Sequence, residues 1–336
     1  MSATAPLAPP GGSPAPRLLP WPIIALALVL AKGANAREAT PPEQLAGDIA
    51  AHDPSTIARC GSNYWVFSTG RGILSQHSTN LHQWTSGPRV FPHAPNWTTN
   101  MVPGFRGHFW APDVIRSGST WLLFYSVSSW GSQTSVIGLA TNATLNPVEP
   151  GFGWKDCGPV IKSDPSLDFN AIDPSALRDG QGRLWLAFGS YWGGLRVVEL
   201  DPATGRRLDE SAPLTAVAWK PAIEAACLSE HDGFFYLMMN WGRCCQGVAS
   251  TYNIRVGRSR EPTGPFLDRE GVDLREGGGT LLLGSEGQRI GPGHAGILRD
   301  QGAEWLSYHY YDGGWFGVGT LGLRRLSWSQ DGWPEL

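Results

Sequence analysis

The chain has 336 residues and a formal net charge of −3, and its 26 basic residues form no cluster with interleaved aromatic residues. This composition argues against a nucleic-acid partner, because proteins that bind nucleic acid present a basic patch. The 43 Gly, 27 Pro and 16 Trp argue against a mainly helical protein and favour an all-β fold of short aromatic strands joined by tight turns.

The first 36 residues predict a secretory signal peptide. Residues 1–17 are rich in Pro, Ala and Gly, residues 18–30 are almost entirely apolar, and Ala34-Asn35-Ala36 has the A-x-A pattern of a cleavage site. The apolar run is shorter than the roughly 20 residues that span a bilayer, although an uncleaved anchor is the alternative. We therefore expect a secreted or periplasmic protein with no membrane contact after cleavage and one domain over residues 37–336.

Along that domain a charged or imidazole residue opens a short apolar segment five times, and an aromatic-rich strand follows about ten residues later. The openers are Asp53, Asp113, Asp173, Glu224 and His294. The first three are 60 residues apart, and the next two gaps are 51 and 70. The predicted strands that follow them are residues 64–67, 121–125, 184–188, 234–237 and 305–308. A repeat of this length is typical of a radial architecture.

Each repeat suits one four-stranded blade, so the sequence predicts a five-bladed β-propeller with a central channel. Radial closure also hides the strand edges that an open sheet of this size would expose. The first strand of each blade lines the channel of a propeller. We therefore expect the five openers to meet at the channel mouth, although they are far apart in the sequence.

Carboxylates that converge in this way predict glycoside hydrolysis, which needs one ionised and one protonated carboxyl group on either side of a sugar. A third carboxylate can raise the pKa of the acid by charge repulsion. Asp53, Asp173 and Glu224 are the candidates. An Asp before Pro-Ser also builds simple turns, and Asp113 has an architectural interpretation as a cap of backbone N–H groups, so it is left out of the catalytic set. His294 is a candidate core residue, metal ligand or substrate contact.

Sugar rings stack on flat indole faces, and Trp110, Trp130 and Trp192 fall on loops expected at the channel mouth, although most of the tryptophans must belong to the core. Asn170 is predicted to donate a hydrogen bond to a sugar hydroxyl, and Ser190 is included in the same substrate-binding set. The adjacent Cys244 and Cys245 permit either a vicinal disulfide or two separate thiols.

From about Gly47 to the C-terminus the chain resembles the arabinanases of glycoside hydrolase family 43. The segments that carry the resemblance include His52-Asp53-Pro54, Trp110-Ala111-Pro112-Asp113, Asn170-Ala171-Ile172-Asp173-Pro174-Ser175, Phe188-Gly189-Ser190-Tyr191-Trp192, Ile223-Glu224-Ala225, Cys244-Cys245-Gln246-Gly247, Ser250-Thr251-Tyr252, Gly291-Pro292-Gly293-His294 and His309-Tyr310-Tyr311-Asp312. The sequence departs from the family pattern at Phe169, where Trp is common, and at Ala226, where Pro is common. These departures leave the finer specificity open.

The resemblance implies an inverting hydrolase in which Asp53 is the general base, Glu224 the general acid and Asp173 the residue that tunes and orients the acid. Inversion implies that the carboxyl groups of Asp53 and Glu224 are about 6.5–9.5 Å apart. The resemblance also implies that His294 holds a calcium or sodium ion, partly through water, and that no organic cofactor is needed.

The expected function is therefore cleavage of 1,5-α-L-arabinofuranosidic bonds in arabinan or arabino-oligosaccharides by a secreted monomer. A related β-xylosidase or α-L-arabinofuranosidase is the alternative within the family. A non-catalytic glycan-binding propeller would be favoured if any of the three carboxylates were an amide or Ala. The sequence does not distinguish endo from exo action.

Overall fold

In the computed structural model, which describes residues 43–211 and 213–336, five small sheets form a five-bladed β-propeller. This confirms the predicted fold class. Within the described part of the chain, no helix is long and apolar enough to cross a membrane. The predicted signal peptide, residues 1–36, lies outside the described residues.

The first two blades are five-stranded. Their strands, in chain order, are Ala46–Gly47 (β1), Ala58–Cys60 (β2), Asn63–Ser68 (β3), Gly70–Arg71 (β4), Leu74–Ser78 (β5), Gln83–Ser86 (β6), His108–Ser117 (β7), Thr120–Val127 (β8), Ser135–Asn142 (β9) and Lys155–Ser163 (β10). Short β4 pairs with β7 of the second blade. The connection between β6 and β7 contains the only α-helix of the described residues, Trp97–Met101.

The other three blades are four-stranded. Their strands are Ser175–Arg178 (β11), Leu184–Phe188 (β12), Leu195–Leu200 (β13), Thr215–Ala218 (β14), Ile223–His231 (β15), Phe234–Trp241 (β16), Asn253–Ser259 (β17), Thr280–Leu283 (β18), Arg289–Asp300 (β19), Ala303–Asp312 (β20), Val318–Trp328 (β21) and Pro334–Glu335 (β22). The innermost strands are β2, β7, β11, β15 and β19. If the short β1 and β4 are left aside, each of these strands comes first in its blade in chain order and lies at one edge of the sheet.

The second strand of each blade is buried on both faces because neighbouring blades pack against it. In the third blade all five residues of β12 are buried. Leu122 and Phe124 of the second blade share a core cluster with Leu186 and Phe188 of the third. Burial on both sides requires a nearly continuous apolar run rather than an alternating one, and this is the pattern from which these strands were predicted.

The ring closes through residues 46–51, which begin with β1 of the first blade. The N–H of Ala51 donates to the carbonyl of Gly319 at 2.9 Å, and the N–H of Leu321 donates to the carbonyl of Ile49 at 2.8 Å. Just before these contacts, β1 pairs in parallel with β6 of the first blade. The segment therefore links the fifth blade to the first and covers edges that would otherwise be open.

One residue with left-handed backbone lies near the beginning of the innermost strand in every blade. These residues are Asp53 (φ 48°), Ala111 (φ 41°), Asp173 (φ 57°), Ala225 (φ 55°) and His294 (φ 57°). None is a glycine, and this region of the Ramachandran map is sparsely populated by other residues. In three blades the pairing register also shifts here, as in a β-bulge, which redirects side chains at a strand end.

In two blades the residue predicted from the sequence repeat differs from the residue at the equivalent position in the structure. The structural equivalent of Asp53 in the second blade is Ala111, so Asp113 lies two residues farther along β7. In the fourth blade the equivalent is Ala225, so Glu224 precedes it by one residue. The bulges shift the equivalent positions, and spacing in the sequence does not reveal such shifts.

Asp113 has the architectural role that was its alternative interpretation. Its carboxylate accepts the N–H of Thr56 at 2.9 Å and the N–H of Ala176 at 2.8 Å. The side chain is buried and therefore joins the first and third blades beside the channel. Burial raises the pKa of Asp113 to about 6, although the two backbone hydrogen bonds act in the opposite direction.

Candidate active site

Asp53 lies at the channel mouth and accepts two side-chain hydrogen bonds on one carboxylate oxygen. His52 Nδ1 is 2.9 Å from Oδ2, and the Thr69 hydroxyl donates to the same atom at 2.7 Å. The Thr69 oxygen also accepts the N–H of Ala111 at 2.8 Å. Because this N–H occupies the acceptor side of the hydroxyl, the Thr69 proton is directed toward Asp53.

The surroundings of Asp53 keep its carboxyl group ionised. Burial alone would raise the pKa of Asp53, but the charge and the hydrogen bond of His52 outweigh burial and hold the pKa well below its usual range. The Nδ1 atoms of His294 and His309 each lie 3.7 Å from Oδ1. An ionised carboxylate with one oxygen free of donors is suited to accept a proton.

Glu224 is the second residue of β15 and is buried. The Ser190 hydroxyl donates to its Oε2 at 2.7 Å, and the Tyr252 hydroxyl donates to its Oε1. Burial raises the pKa of Glu224, the hydrogen bonds from Tyr252 and Ser190 lower it, and the negative charge of Asp53 raises it further, with a net rise.

Asp173 is also buried and is tied to both neighbouring blades. Its backbone N–H donates to the Ser126 hydroxyl at 3.0 Å, and its Oδ2 accepts the N–H of Ala225 at 3.2 Å. The pKa of Asp173 lies well above its usual range because of burial first and the charges of Glu224 and Asp53 second.

The three carboxyl groups therefore divide into one with a lowered pKa, Asp53, and two with raised pKa values, Asp173 and Glu224. Such a separation of pKa values is the usual sign of an acid and a base in one site. The charge of Asp53 acts on both Asp173 and Glu224, so the three groups face a common space. The predicted 6.5–9.5 Å separation of Asp53 and Glu224 stays a prediction.

His294 lies in the same group, but its surroundings contain few oxygen ligands. Its N–H donates to Asn240 Oδ1 at 2.9 Å, and burial lowers the pKa of the His294 side chain despite the nearby Asp53. A lowered pKa favours the neutral ring, which is the form that can bind a cation. A calcium ion prefers six to eight oxygen ligands, and among the described residues the Asp53 carboxylate lies 3.7 Å from Nδ1 of this ring. An ion here fits only if it keeps most of its water.

A second set of possible metal ligands overlaps with this one. One ligand atom each from His52, Asp53 and His309 lie within 4.8 Å of one another. The Nδ1 of His309 already accepts the N–H of Asp53 at 3.2 Å, however, and His52 Nδ1 faces the carboxylate. These atoms serve one another as hydrogen-bond partners, which argues against a metal bound between them.

The predicted substrate-binding residues fall into two groups. Trp130 is 79% exposed, and its ring lies edge-on, at 6.4 Å, to that of half-buried Trp110. The prediction that Trp110 lies on a loop is wrong, because it lies within β7. Trp192 is 43% exposed. Asn170 and Ser190, in contrast, are buried. Asn170 accepts a hydrogen bond from Ser163 at 3.4 Å, while Ser190 contacts Glu224.

Several contacts of the carboxylates were not identified from the sequence. Tyr252 occurs in a segment that carried the family resemblance, yet neither Tyr252 nor Thr69 is charged, and nothing in their spacing pointed to Asp53 or Glu224. Tyr252 is 28 residues from Glu224, and His309 is 256 residues from Asp53. Only the packing of separate blades brings these residues together.

The two adjacent cysteines form a vicinal disulfide, which decides between the alternatives left open by the sequence. Cys60, Cys157 and Cys227 are free thiols. The disulfide loop adjoins the carboxylate cluster, because Cys245 Sγ lies 3.8 Å from His52 Nε2.

The sequence also matches a known protein family and several named proteins. The family model described as "Glycosyl hydrolases family 43" matches residues 48–334. The chain is 37% identical over 304 residues to the extracellular exo-α-(1→5)-L-arabinofuranosidase ArbA of Cellvibrio japonicus, covering 87% of each protein. It is 39% identical over 292 residues to the extracellular endo-α-(1→5)-L-arabinanase 1 of Bacillus subtilis, covering 84% of this chain and 87% of that protein.

Among solved structures, the Cellvibrio cellulosa α-L-arabinanase complexed with arabinohexaose superimposes with a TM-score of 0.82 at 36% identity. The match covers 85% of this chain and 95% of the other. Fold and sequence similarity therefore extend over nearly the whole propeller.

Proposed function

Because the chain belongs to glycosyl hydrolase family 43 and is a glycoside hydrolase, we propose that it cleaves 1,5-α-L-arabinofuranosidic bonds in arabinan. The similar proteins named for arabinan hydrolysis support this substrate. The single observation that carries the reaction type is the opposite displacement of two pKa values, with that of Asp53 lowered and that of Glu224 raised. A non-catalytic glycan-binding role is set aside.

In the proposed mechanism Asp53 takes a proton from a water molecule as the water oxygen bonds to the anomeric carbon. Glu224 donates its proton to the leaving oxygen as the glycosidic bond breaks. Because the water attacks from the face opposite the leaving group, the configuration inverts. Each step of general acid or base catalysis of this kind contributes about 10²–10⁴-fold to the rate.

Asp173 has two effects in this scheme. Its acceptance of the Ala225 N–H fixes the backbone directly after the acid, and its carboxyl group disfavours a negative charge on Glu224. Both effects keep Glu224 protonated and in position. Ser190 and Tyr252 fix the orientation of the Glu224 side chain through one hydrogen bond to each oxygen.

Trp130, Trp110 and Trp192 are proposed to stack against sugar rings at the channel mouth, where an exposed indole face can replace water over the apolar side of a ring. Asn170 is proposed as a donor to a sugar hydroxyl near the carboxylates. Ser190 acts through Glu224.

His294 is proposed to contact a hydrated calcium or sodium ion. Such an ion would place a fixed positive charge beside Asp53 and favour its ionised form. The protein is proposed to be a monomer that a signal peptide directs to the periplasm or the medium. The relatives named as extracellular support the export.

A second candidate is exo-acting α-L-arabinofuranosidase activity, favoured by the similarity to the Cellvibrio japonicus enzyme. Product sizes from linear arabinan distinguish the two: endo action gives a ladder of oligomers at early times, whereas exo action gives one short product throughout. Hydrolysis of aryl xylosides with no action on arabinan would contradict both.

The proposed acid is tested by Glu224→Gln, with exposed Glu261→Gln as the matched control. Glu224→Gln is expected to lose about 10²–10⁴-fold in kcat on linear arabinan while the control behaves as wild type. Early products examined by NMR should carry the inverted anomer. Retained configuration, or near wild-type hydrolysis by Glu224→Gln, would refute the mechanism.

A further inference from the structure

We propose that His52 is a positioning residue for Asp53, and that Tyr311, held by the disulfide loop of Cys244 and Cys245, fixes the hydrogen-bonding direction of His52. This inference rests on the proposed function, in which Asp53 is the base. It assigns a role to a histidine, a tyrosine and a disulfide that the mechanism itself does not use.

The first link joins His52 to Asp53. His52 Nδ1 lies 2.9 Å from Oδ2, and an ionised carboxylate only accepts hydrogen bonds. Nδ1 must therefore carry a hydrogen whether the ring is neutral or charged. Together with the Thr69 hydroxyl at 2.7 Å, it gives Oδ2 two donors.

The second carboxylate oxygen, Oδ1, is left for the reaction. Its nearest imidazole atoms, Nδ1 of His294 and of His309, are 3.7 Å away, beyond hydrogen-bond distance. His309 Nδ1 is also the acceptor of the Asp53 N–H at 3.2 Å. His52 and Thr69 thus hold one oxygen and direct the other at the substrate water.

The second link sets the state of the far side of the His52 ring. His52 Nε2 lies 2.8 Å from the Tyr311 hydroxyl, and the N–H of Cys245 donates to that hydroxyl at 2.7 Å. In the neutral His52 ring, Nδ1 carries the hydrogen that faces Asp53, so Nε2 has a free lone pair and accepts the Tyr311 O–H, whose oxygen in turn accepts the Cys245 N–H. All hydrogen bonds then run in one direction, from Cys245 through Tyr311 and His52 to Asp53.

The third link is the loop that supplies the Cys245 N–H. Cys245 has left-handed backbone, with φ 63°, and is cross-linked to Cys244. Its sulfur lies 3.8 Å from His52 Nε2. The cross-link restricts the peptide between the two cysteines and so fixes the direction of the N–H that Tyr311 accepts.

Stacking prevents the His52 ring from turning over. Its ring lies 4.4 Å from that of His309 with an interplanar angle of 23°, and His309 is fully buried. A flat imidazole held between this ring and the disulfide loop can keep its two nitrogens in fixed directions.

The test exploits the shapes of Asn and Gln. The amide nitrogen of Asn falls near the position of Nδ1, and that of Gln near the position of Nε2. His52→Asn therefore retains a donor to Asp53, and His52→Gln does not. With linear arabino-oligosaccharide as substrate, we expect kcat to fall about fivefold in His52→Asn and about 10²-fold in His52→Gln, the loss typical of a misplaced catalytic group, with KM changed less than twofold in both.

Exposed His82→Gln is the matched control and should match wild type. Equal losses in His52→Asn and His52→Gln, or a loss expressed in KM rather than kcat, would overturn the positioning role. Tyr311→Phe removes the donor to Nε2 and should lower kcat about tenfold at constant KM. A wild-type kcat in Tyr311→Phe would overturn the second link.

Asp53→Asn separates this inference from the function on which it rests. If Asp53→Asn keeps its activity, the proposed base is wrong. If Asp53→Asn is inactive while His52→Gln retains wild-type kcat, the base stands and the role of His52 is refuted.

Discussion

Asp173 accepts the backbone N–H of Ala225, the residue directly after the proposed acid Glu224, at 3.2 Å. This bond crosses from the third blade to the fourth, so it fixes the acid relative to a second carboxyl group. The charge of Glu224 is also one of the causes that raise the pKa of Asp173. The two groups therefore compete for protons, and each makes ionisation of the other less favourable.

Asp173→Asn is expected to move the basic limb of the pH profile to lower pH. The acid must be protonated, so activity is lost as the pH rises through the pKa of Glu224. Asn cannot ionise, so the repulsion from an ionised Asp173 is lost in the pH range where both carboxyl groups release their protons, and this lowers the pKa of Glu224. The measurement is kcat/KM against pH on unactivated oligosaccharide, and an unchanged basic limb would exclude the tuning role.

Tyr252→Phe should move the same limb in the opposite direction. The hydrogen bond from Tyr252 stabilises ionised Glu224 and lowers its pKa, so its removal raises the pKa and extends activity to higher pH. When Tyr252→Phe and Asp173→Asn are measured in one buffer series, each variant is a control for the other. Shifts of the same sign in both variants would contradict the assigned electrostatics.

We expect Asp113 to make the free energy of unfolding depend on pH without affecting catalysis. Its folded pKa of about 6 exceeds the usual Asp value near 3.8, so the folded state binds the proton more tightly. The resulting stabilisation is complete below about pH 3.8 and is lost as the pH rises through 6, amounting to about 3 kcal/mol at 1.36 kcal/mol per unit.

Asp113→Asn tests this by difference, since every other titrating group is common to both proteins. The variant turns an amide N–H₂ toward a backbone N–H and should be less stable at all pH values. Its deficit in unfolding free energy should shrink between pH 4 and 7. Denaturant unfolding at several pH values measures it, and a constant deficit would show that Asp113 keeps an ordinary pKa.

The strands of this fold could be predicted where the sequence contains continuous apolar runs. The second strands, such as Leu184–Phe188, were visible because burial on both faces demands an apolar run. The 60-residue spacing identified five blades, but it placed Asp113 where Ala111 stands, because a register shift between Trp110 and Asp113 leaves no mark in residue type.

The predictable part of the site is its carboxylates, which are few and follow the repeat. Their partners were not predictable in the same way. Thr69, Tyr252 and His309 gain their contacts only when blades distant in sequence pack around the channel. Hydrogen-bond direction, such as the Thr69 proton aimed at Asp53 by the Ala111 N–H, depends on backbone geometry that residue spacing does not encode.

Trp130→Ala tests the proposed sugar platform. Since Trp130 is 79% exposed and lies in the connection between β8 and β9, its loss should leave stability within about 0.5 kcal/mol. We expect KM for arabinan to rise about tenfold, equivalent to about 1.4 kcal/mol of binding, with kcat little changed, because stacking contributes to ground-state and transition-state binding alike.

Val148→Ala is the control for loss of an exposed apolar side chain. Val148 is 86% exposed and lies between β9 and β10, a connection at the opposite end of the blade because consecutive antiparallel strands alternate in direction. Its KM should equal that of wild type. If Trp130→Ala has an unaltered KM for the polymer, Trp130 does not bind sugar, and the Trp192 loop of the third blade becomes the next candidate for the sugar-binding surface.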